Sequence, residues 1–210
     1  MPLDFDQRHS FVANMDYRFG EGKDYRGPQF NSKKGADKEK NHQILKNLGI
    51  NLVGRISSGL PYSSRTPAAS DEEIGNNITQ YLAGTLNGSR LPWQFKLDLR
   101  VDKNFTLGKG SSDNGDKKKQ YNLNVYCQVL NLLNTRNVIA VHSFTGSPTD
   151  DGYLASNFGI NEINQKYAQS AAYGTGFTTL YNAKMSGGGS SGGNNFGMPR
   201  MIRLVLQFDF

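Results

Sequence analysis

The sequence predicts an all-β chain, a segment of an antiparallel transmembrane β-barrel. Three observations carry that expectation. Five stretches, at 9–19, 45–57, 93–107, 120–133 and 200–210, alternate apolar and polar residues with period two, as strands with one apolar face do. Each exceeds the roughly five or six residues usual for soluble strands and reaches the roughly nine to eleven that cross a bilayer at a tilt. The connectors differ greatly in length, and in an up-and-down strand order the two longest fall on the same side.

The first strand sets Phe11, Ala13, Met15, Tyr17 and Phe19 against Val12, Asn14, Asp16 and Arg18. It ends at Gly20, and Gly20–Asn41 reads as a Gly- and charge-rich connector containing KKGADKEK. In the second strand Leu48, Ile50, Leu52 and Ile56 oppose Asn47, Asn51, Arg55 and Ser57, with Gly54 a gap in the apolar row. Ser58–Leu91 is rich in Ser, Gly, Pro and Asn and reads as a long loop. The third strand is the clearest. Trp93, Phe95, Leu97, Leu99, Val101, Phe105 and Leu107 share one parity, interrupted only by Lys103; Gln94, Lys96, Asp98, Arg100, Asp102 and Asn104 share the other.

A polar turn, Gly108–Lys119, leads to the fourth strand, where Tyr121, Leu123, Val125, Cys127 and Val129 oppose Asn122, Asn124, Tyr126 and Gln128. The alternation slips at Leu130–Leu133, a bulge or the strand end. Asn134–Gly197 is a very long connection holding the low-complexity run SGGGSSGGNN. The last strand places Ile202, Leu204, Leu206, Phe208 and Phe210 against Arg203, Val205, Gln207 and Asp209.

Composition narrows the classes. A hydrophobic share of 36% and a mean hydropathy of −0.59 argue against a helical membrane protein, and no apolar run nears the roughly 20 residues of a membrane helix. The 24 glycines and an aromatic share of 11% suit a loop-rich β protein. Cys127 is the single cysteine, so no internal disulfide can form. The net charge of +6 is modest and its basic residues are dispersed or lie in loops, so no nucleic-acid partner is expected. MPLDFDQRHS shows no secretion signal, so an exported form would need a longer precursor.

Polar and apolar faces of this kind serve two architectures. In a soluble sandwich the polar face meets water and the apolar face a second sheet. In a membrane barrel the apolar face meets lipid and the polar face lines a wet lumen. Strand length and connector asymmetry favour the barrel. With a periplasmic C-terminus, Ser58–Leu91 and Asn134–Gly197 fall outside the cell and the short Gly108–Lys119 turn falls inside, where each belongs. Gly20–Asn41 also falls inside and is longer than that rule prefers.

The chain resembles the C-terminal end of a TonB-dependent outer-membrane receptor, most like the Oar-like and SusC-like receptors of Bacteroidota. The stretches that carry the likeness are FDQRHSFVANMDYRFG, LKNLGINLVGRISSGLPYS, GSRLPWQFKLDLRVDKNF, VLNLLNTRNVIAVHSFTGSPTDDGYL and GMPRMIRLVLQFDF, in that order and spacing. The resemblance implies a roughly twenty-two-stranded barrel with a plugged lumen, of which these are the last five strands. It implies that Phe208 and Phe210 form the aromatic signal read by the barrel-assembly machinery. The implied partners are the rest of the barrel and plug, in the same or a separate chain, the TonB complex through that plug, a surface lipoprotein lid, and the bilayer. The implied location is the cell outer membrane, C-terminus periplasmic. Plug, energy-coupling box and some seventeen strands are absent from the sequence, so it reads as part of a longer receptor or as a chain that pairs edge to edge with another.

Site residues follow from the faces. Asp16, Arg18, Lys96, Asp98, Arg100, Asp102 and Arg203 are expected to form a lumen-facing polar ladder of salt bridges. Phe11, Tyr17, Phe95, Leu97, Leu99, Val125, Leu204 and Leu206 are expected to face lipid, and Cys127 shares their parity. Catalytic chemistry is not expected. His9 beside Asp6 and Arg8 reads as a loop mouth, and His42 and His142 lack ligand spacing. Ser147–Asp151 lacks the alternate oxygens and distant Glu of a calcium loop and reads as a turn. GGGSSGG has no strand–turn–helix context or Lys for a phosphate cradle. No cofactor is called for, and the chain does not read as an enzyme. The expected function is the barrel wall of an energy-coupled nutrient importer whose external loops choose the ligand; the alternative is a soluble secreted β-sandwich or adhesin-type binding or structural module.

Overall fold

The computed structural model describes residues 2–33, 39–70, 78–107, 121–187 and 195–209. The expected turn at Gly108–Lys119, the terminal Phe210, and most of the SGGGSSGGNN run lie outside them. The five alternating stretches form five strands: β1 Ser10–Arg18, β2 Leu48–Ser57, β3 Gln94–Leu107, β4 Tyr121–Leu130 and β5 Met201–Asp209. Each lies inside its expected range. They make one sheet in the order β1-β2-β3-β4-β5, every strand beside its sequence neighbour. The β3–β4 and β4–β5 pairs are antiparallel by register. The β1–β2 pair runs the same way, since Phe19 N–H donates to Leu48 and Ser58 N–H donates to His9 at opposite strand ends.

Register carries the alternation across strands. Leu123, Val125, Cys127 and Val129 stand opposite Phe208, Leu206, Leu204 and Ile202, while Asn124 and Gln128 stand opposite Gln207 and Arg203. On the other side of β4, Cys127 and Val129 face Val101 and Leu99, and Asn124 and Gln128 face Asn104 and Arg100. A slip of one residue would mix the faces. Helices are few, and among the described residues none is long and apolar enough to cross a membrane. The chain is therefore mostly β, built on an antiparallel sheet.

Two connectors hold more structure than the sequence signals. Among the described residues Gly20–Asn41 contains a 3₁₀ turn at Gly22–Asp24, and Phe30–Lys33 pairs antiparallel with Glu39–His42 at the connector's end. Asn134–Gly197, read as loop, carries two helices, α1 Asn157–Gln169 and α2 Ala171–Gly187. Ser156 caps α1 by accepting from Gly159 N–H at 3.1 Å. Gly174 and Gly176 oppose helix formation inside α2 by roughly 1 kcal/mol each, so propensity alone hides this helix.

The chain forms two compact units. One comprises Val12–Arg55, Lys96–Thr135 and Pro199–Phe210 and contains most of the sheet. The other comprises Met1–Phe11, Ile56–Phe95 and Arg136–Met198. This second unit is the only one with a buried apolar cluster among the described residues: Tyr153, Tyr181 and Met185, with Ile78, Leu154 and Phe177 against it. Ser58–Leu91, expected as irregular loop, folds back on itself there. Pro61–Tyr62 pairs with Ser89–Arg90, and Arg65–Thr66 with Tyr81–Leu82.

Candidate functional site

The polar face of the sheet is a network of cross-strand bonds. Arg18 Nη2 donates to Asp102 Oδ2 at 2.8 Å, from β1 to β3 over β2. Asn51 on β2 donates to Asn14 at 3.0 Å and to Asp16 at 3.1 Å on β1. Asp98 accepts from the Asn131 N–H at 2.8 Å and lies 3.7 Å from Lys96 Nζ. The Arg100 guanidinium carbon stands over the Tyr126 ring, 4.0 Å from its centroid. The expected ladder is thus assembled on one face, yet only Arg18–Asp102 in it is a cross-strand ion pair among the described residues. Arg203 instead contacts the Met201 sulfur at 3.2 Å.

The opposite face is apolar and open. Phe11, Tyr17, Leu204 and Leu206 are exposed at 63%, 47%, 71% and 67%. Phe95, Leu97, Leu99 and Val125 are half-buried on the same face, where the Leu97 side chain fills the gap left by Gly54. Phe105 and Phe208 stand either side of Leu123, with the Tyr121 and Phe208 rings stacked 5.9 Å apart. Tyr17 and Phe19 meet edge to face at 4.9 Å. In the second unit, Trp93 stacks on His9 with ring centroids 6.0 Å apart. Lys103, the polar exception on this face, donates to the Ile44 carbonyl at 2.6 Å with its ammonium over the Phe105 ring. Beside it, Glu21, Gln43, Lys46, Asn47 and Thr106 help line a cavity of about 370 Å³. Hydrogen bonds from Asn47 and then Lys46 hold the Glu21 carboxyl below its ordinary value.

The slip at Leu130–Leu133 is a strand end with a built cap. Asn131 turns the chain at φ 53° and is 3% exposed. Its side chain accepts from Thr135 N–H at 3.0 Å and donates to the Thr135 carbonyl at 3.0 Å. Asn134 accepts from Arg200 N–H at 2.9 Å. Asn137 grips Phe95 at both ends, accepting from its N–H and donating to its carbonyl at 2.8 Å each, as a paired strand would. The sequence reading passed over these three asparagines, although their N-x-x-N-x-x-N spacing was visible.

In the second unit two tyrosines hold two buried carboxylates. Tyr181 donates to Asp151 at 2.5 Å and Tyr153 to Glu162 at 2.5 Å, with the two rings stacked at 5.6 Å. Burial and then the Asp151 carboxylate push the Tyr181 hydroxyl above its ordinary value. The Ser147–Asp151 stretch forms successive side-chain turns, with Thr149 N–H donating to Ser147 Oγ and Gly152 N–H to Asp150. His142 is buried, its ring 3.4 Å from the Asn195 amide. Asp6 pairs with Arg90 and approaches Arg8 at 3.9 Å. Among the described residues no three metal-ligating side chains converge. Comparison with family models, with curated proteins and with solved structures returned no match.

Proposed function

We propose that the sheet spans the outer membrane as part of a larger closed barrel, the wall of a TonB-dependent receptor of the Oar-like or SusC-like kind that imports a nutrient ligand. The observation that carries this reading is an apolar face that runs in register across the strands and stays open, while the opposite face is knitted by polar bonds. A water-soluble sheet would lay such a face on a second layer. In lipid it needs no cover.

Aromatics support the same reading. Phe95 and Phe105 lie ten residues apart on β3. That is about 33 Å along the strand, or about 25 Å across a bilayer at a tilt near 40°, the height of the apolar band between aromatic girdles. Tyr17, Tyr121 and Phe208 belong to the Phe105 end of their strands. β1 and β5 end the sheet order, and their open edges would each leave unpaired backbone in lipid at several kcal/mol per group. Further strands, in the same or a separate chain, close the barrel.

On this reading the connectors Ser58–Leu91 and Asn134–Gly197 lie outside the cell and help choose the ligand, while the C-terminus is periplasmic and Phe208 with Phe210 engages the barrel-assembly machinery. Transport itself requires the plug, through which the TonB complex acts; a surface lipoprotein is a further candidate partner. The test is a heated and unheated gel of detergent-extracted outer membranes, followed by peptide mapping. Peptides of this sequence in one large heat-modifiable band with barrel and plug peptides are expected. A free chain of 23.2 kDa in the soluble fraction would overturn the proposal in favour of the β-sandwich.

A further inference from the structure

Arg100 and Arg203 are two guanidinium groups of the polar face that its carboxylates leave unmatched among the described residues. Arg100 on β3 and Arg203 on β5 both stand directly opposite Gln128 on β4, so the three share one transverse row. Two strand spacings put the arginine Cα atoms about 10 Å apart; Arg100 stands over Tyr126 and Arg203 donates to the Met201 sulfur, and each turns from that contact to reach a common point above Gln128. Both arginines are exposed. Their nearest acids along β3 are already engaged. Asp102 takes Arg18 at 2.8 Å, and Asp98 takes the Asn131 N–H at 2.8 Å and faces Lys96. On β5 the only acid is Asp209, six residues from Arg203 and opposite Asn122 at the far end of the strand. Among the described residues neither arginine makes an ion pair.

The Arg100 guanidinium carbon lies 4.0 Å from the Tyr126 ring centroid, a cation–π contact that engages no carboxylate. The Gln128 amide adds a neutral donor between the two charges. A planar guanidinium pair with an amide between them matches the oxygens of a carboxylate or phosphate group, which charge-assisted bonds hold best.

We propose that the Arg100–Gln128–Arg203 row is a binding subsite for the oxyanion of a small soluble ligand carrying carboxylate or phosphate. The subsite stands on the polar face alone and does not depend on that face lining a membrane pore. Its test uses the full chain folded in detergent micelles, with the arginine side chains followed by nitrogen-15 NMR while inorganic pyrophosphate is added.

The Nε–H signals of Arg100 and Arg203 are expected to shift together and saturate. Arg100→Gln and Arg203→Gln each should weaken binding about tenfold, as expected for losing a charge-assisted hydrogen bond. Lys96→Gln, which removes an engaged cation from the same face, should leave it unchanged. Unaltered amide signals from β4 would show that each variant folds. Equal losses in all three variants would reveal only a diffuse positive field and overturn the subsite. Binding of an oligoglutamate peptide but not of pyrophosphate or citrate would overturn the small-ligand source. If the chain fails to enter bilayers yet pyrophosphate shifts both arginines, the membrane reading falls and the subsite stands.

Discussion

Arg18 reaches Asp102 across the full width of β2, Nη2 to Oδ2 at 2.8 Å, and the crossing point is Gly49. A Cβ at residue 49 would lie 2.6 Å from Arg18 Nη2 and 2.7 Å from Asp102 Oδ1. A missing side chain on the middle strand is what lets charges on the two outer strands meet. Asp102 is 7% exposed, so the pair ties three strands through a carboxylate that water barely reaches.

Gly49→Ala should therefore separate the pair. In a double-mutant cycle with Arg18→Met and Asp102→Asn, urea unfolding should give a coupling of about 1–3 kcal/mol in the native background. That coupling should largely vanish in the Gly49→Ala background. A coupling that survives there would mean the two groups meet by another route.

The open apolar face makes a depth-dependent prediction for β5. Leu206→Arg should destabilise the folded chain in lipid vesicles by about 2–4 kcal/mol, whereas Gln207→Arg on the polar face should cost less than about 1 kcal/mol. The two positions are adjacent in sequence and differ only in the face they occupy. Equal costs in vesicles would remove the lipid-facing assignment.

Asn137 stands in for a strand beside Phe95. Asn137→Ala removes both bonds at once and should cost about 1–2 kcal/mol locally. Hydrogen exchange of the Phe95 amide should then quicken by roughly 5–30-fold. Unchanged exchange would show that this amide has another protector.

Tyr181 links stability to alkaline pH. Its hydroxyl is held above the ordinary value near 10, so the folded state keeps a proton that the unfolded chain gives up. The contribution is fully present below pH 10 and lost as pH rises toward the folded value. Stability should fall by about 1.4 kcal/mol per pH unit above pH 10 for this one group. Urea titration across pH 9–11.5 reads the slope, and Tyr181→Phe should reduce it by one proton. A slope that the substitution leaves intact would assign the effect elsewhere.

The strands and their faces were legible because alternation is local: whether Leu204 and Arg203 point apart depends only on the pleat of their own strand. The polar ladder was legible as a face, not as a set of partners. Nothing in the spacing of Arg18, Gly49 and Asp102 says that they meet, since that depends on the registers of two strand pairs together. Arg100 and Arg203 are likewise 103 residues apart in the chain and reach one row only through β4.

The sequence by itself determined the five strands, the parity of each side chain and the absence of a disulfide within these 210 residues, all of which follow from period-two geometry and a residue count. The tertiary structure alone decided which charges pair, and that part of a presumed loop is helical. α2 forms against its own glycines because Phe177, Tyr181 and Met185 pack on Tyr153, Leu154 and Ile78, and burial over that cluster outweighs weak propensity. Periodicity is written within a segment, but pairing and packing are properties of segments brought together.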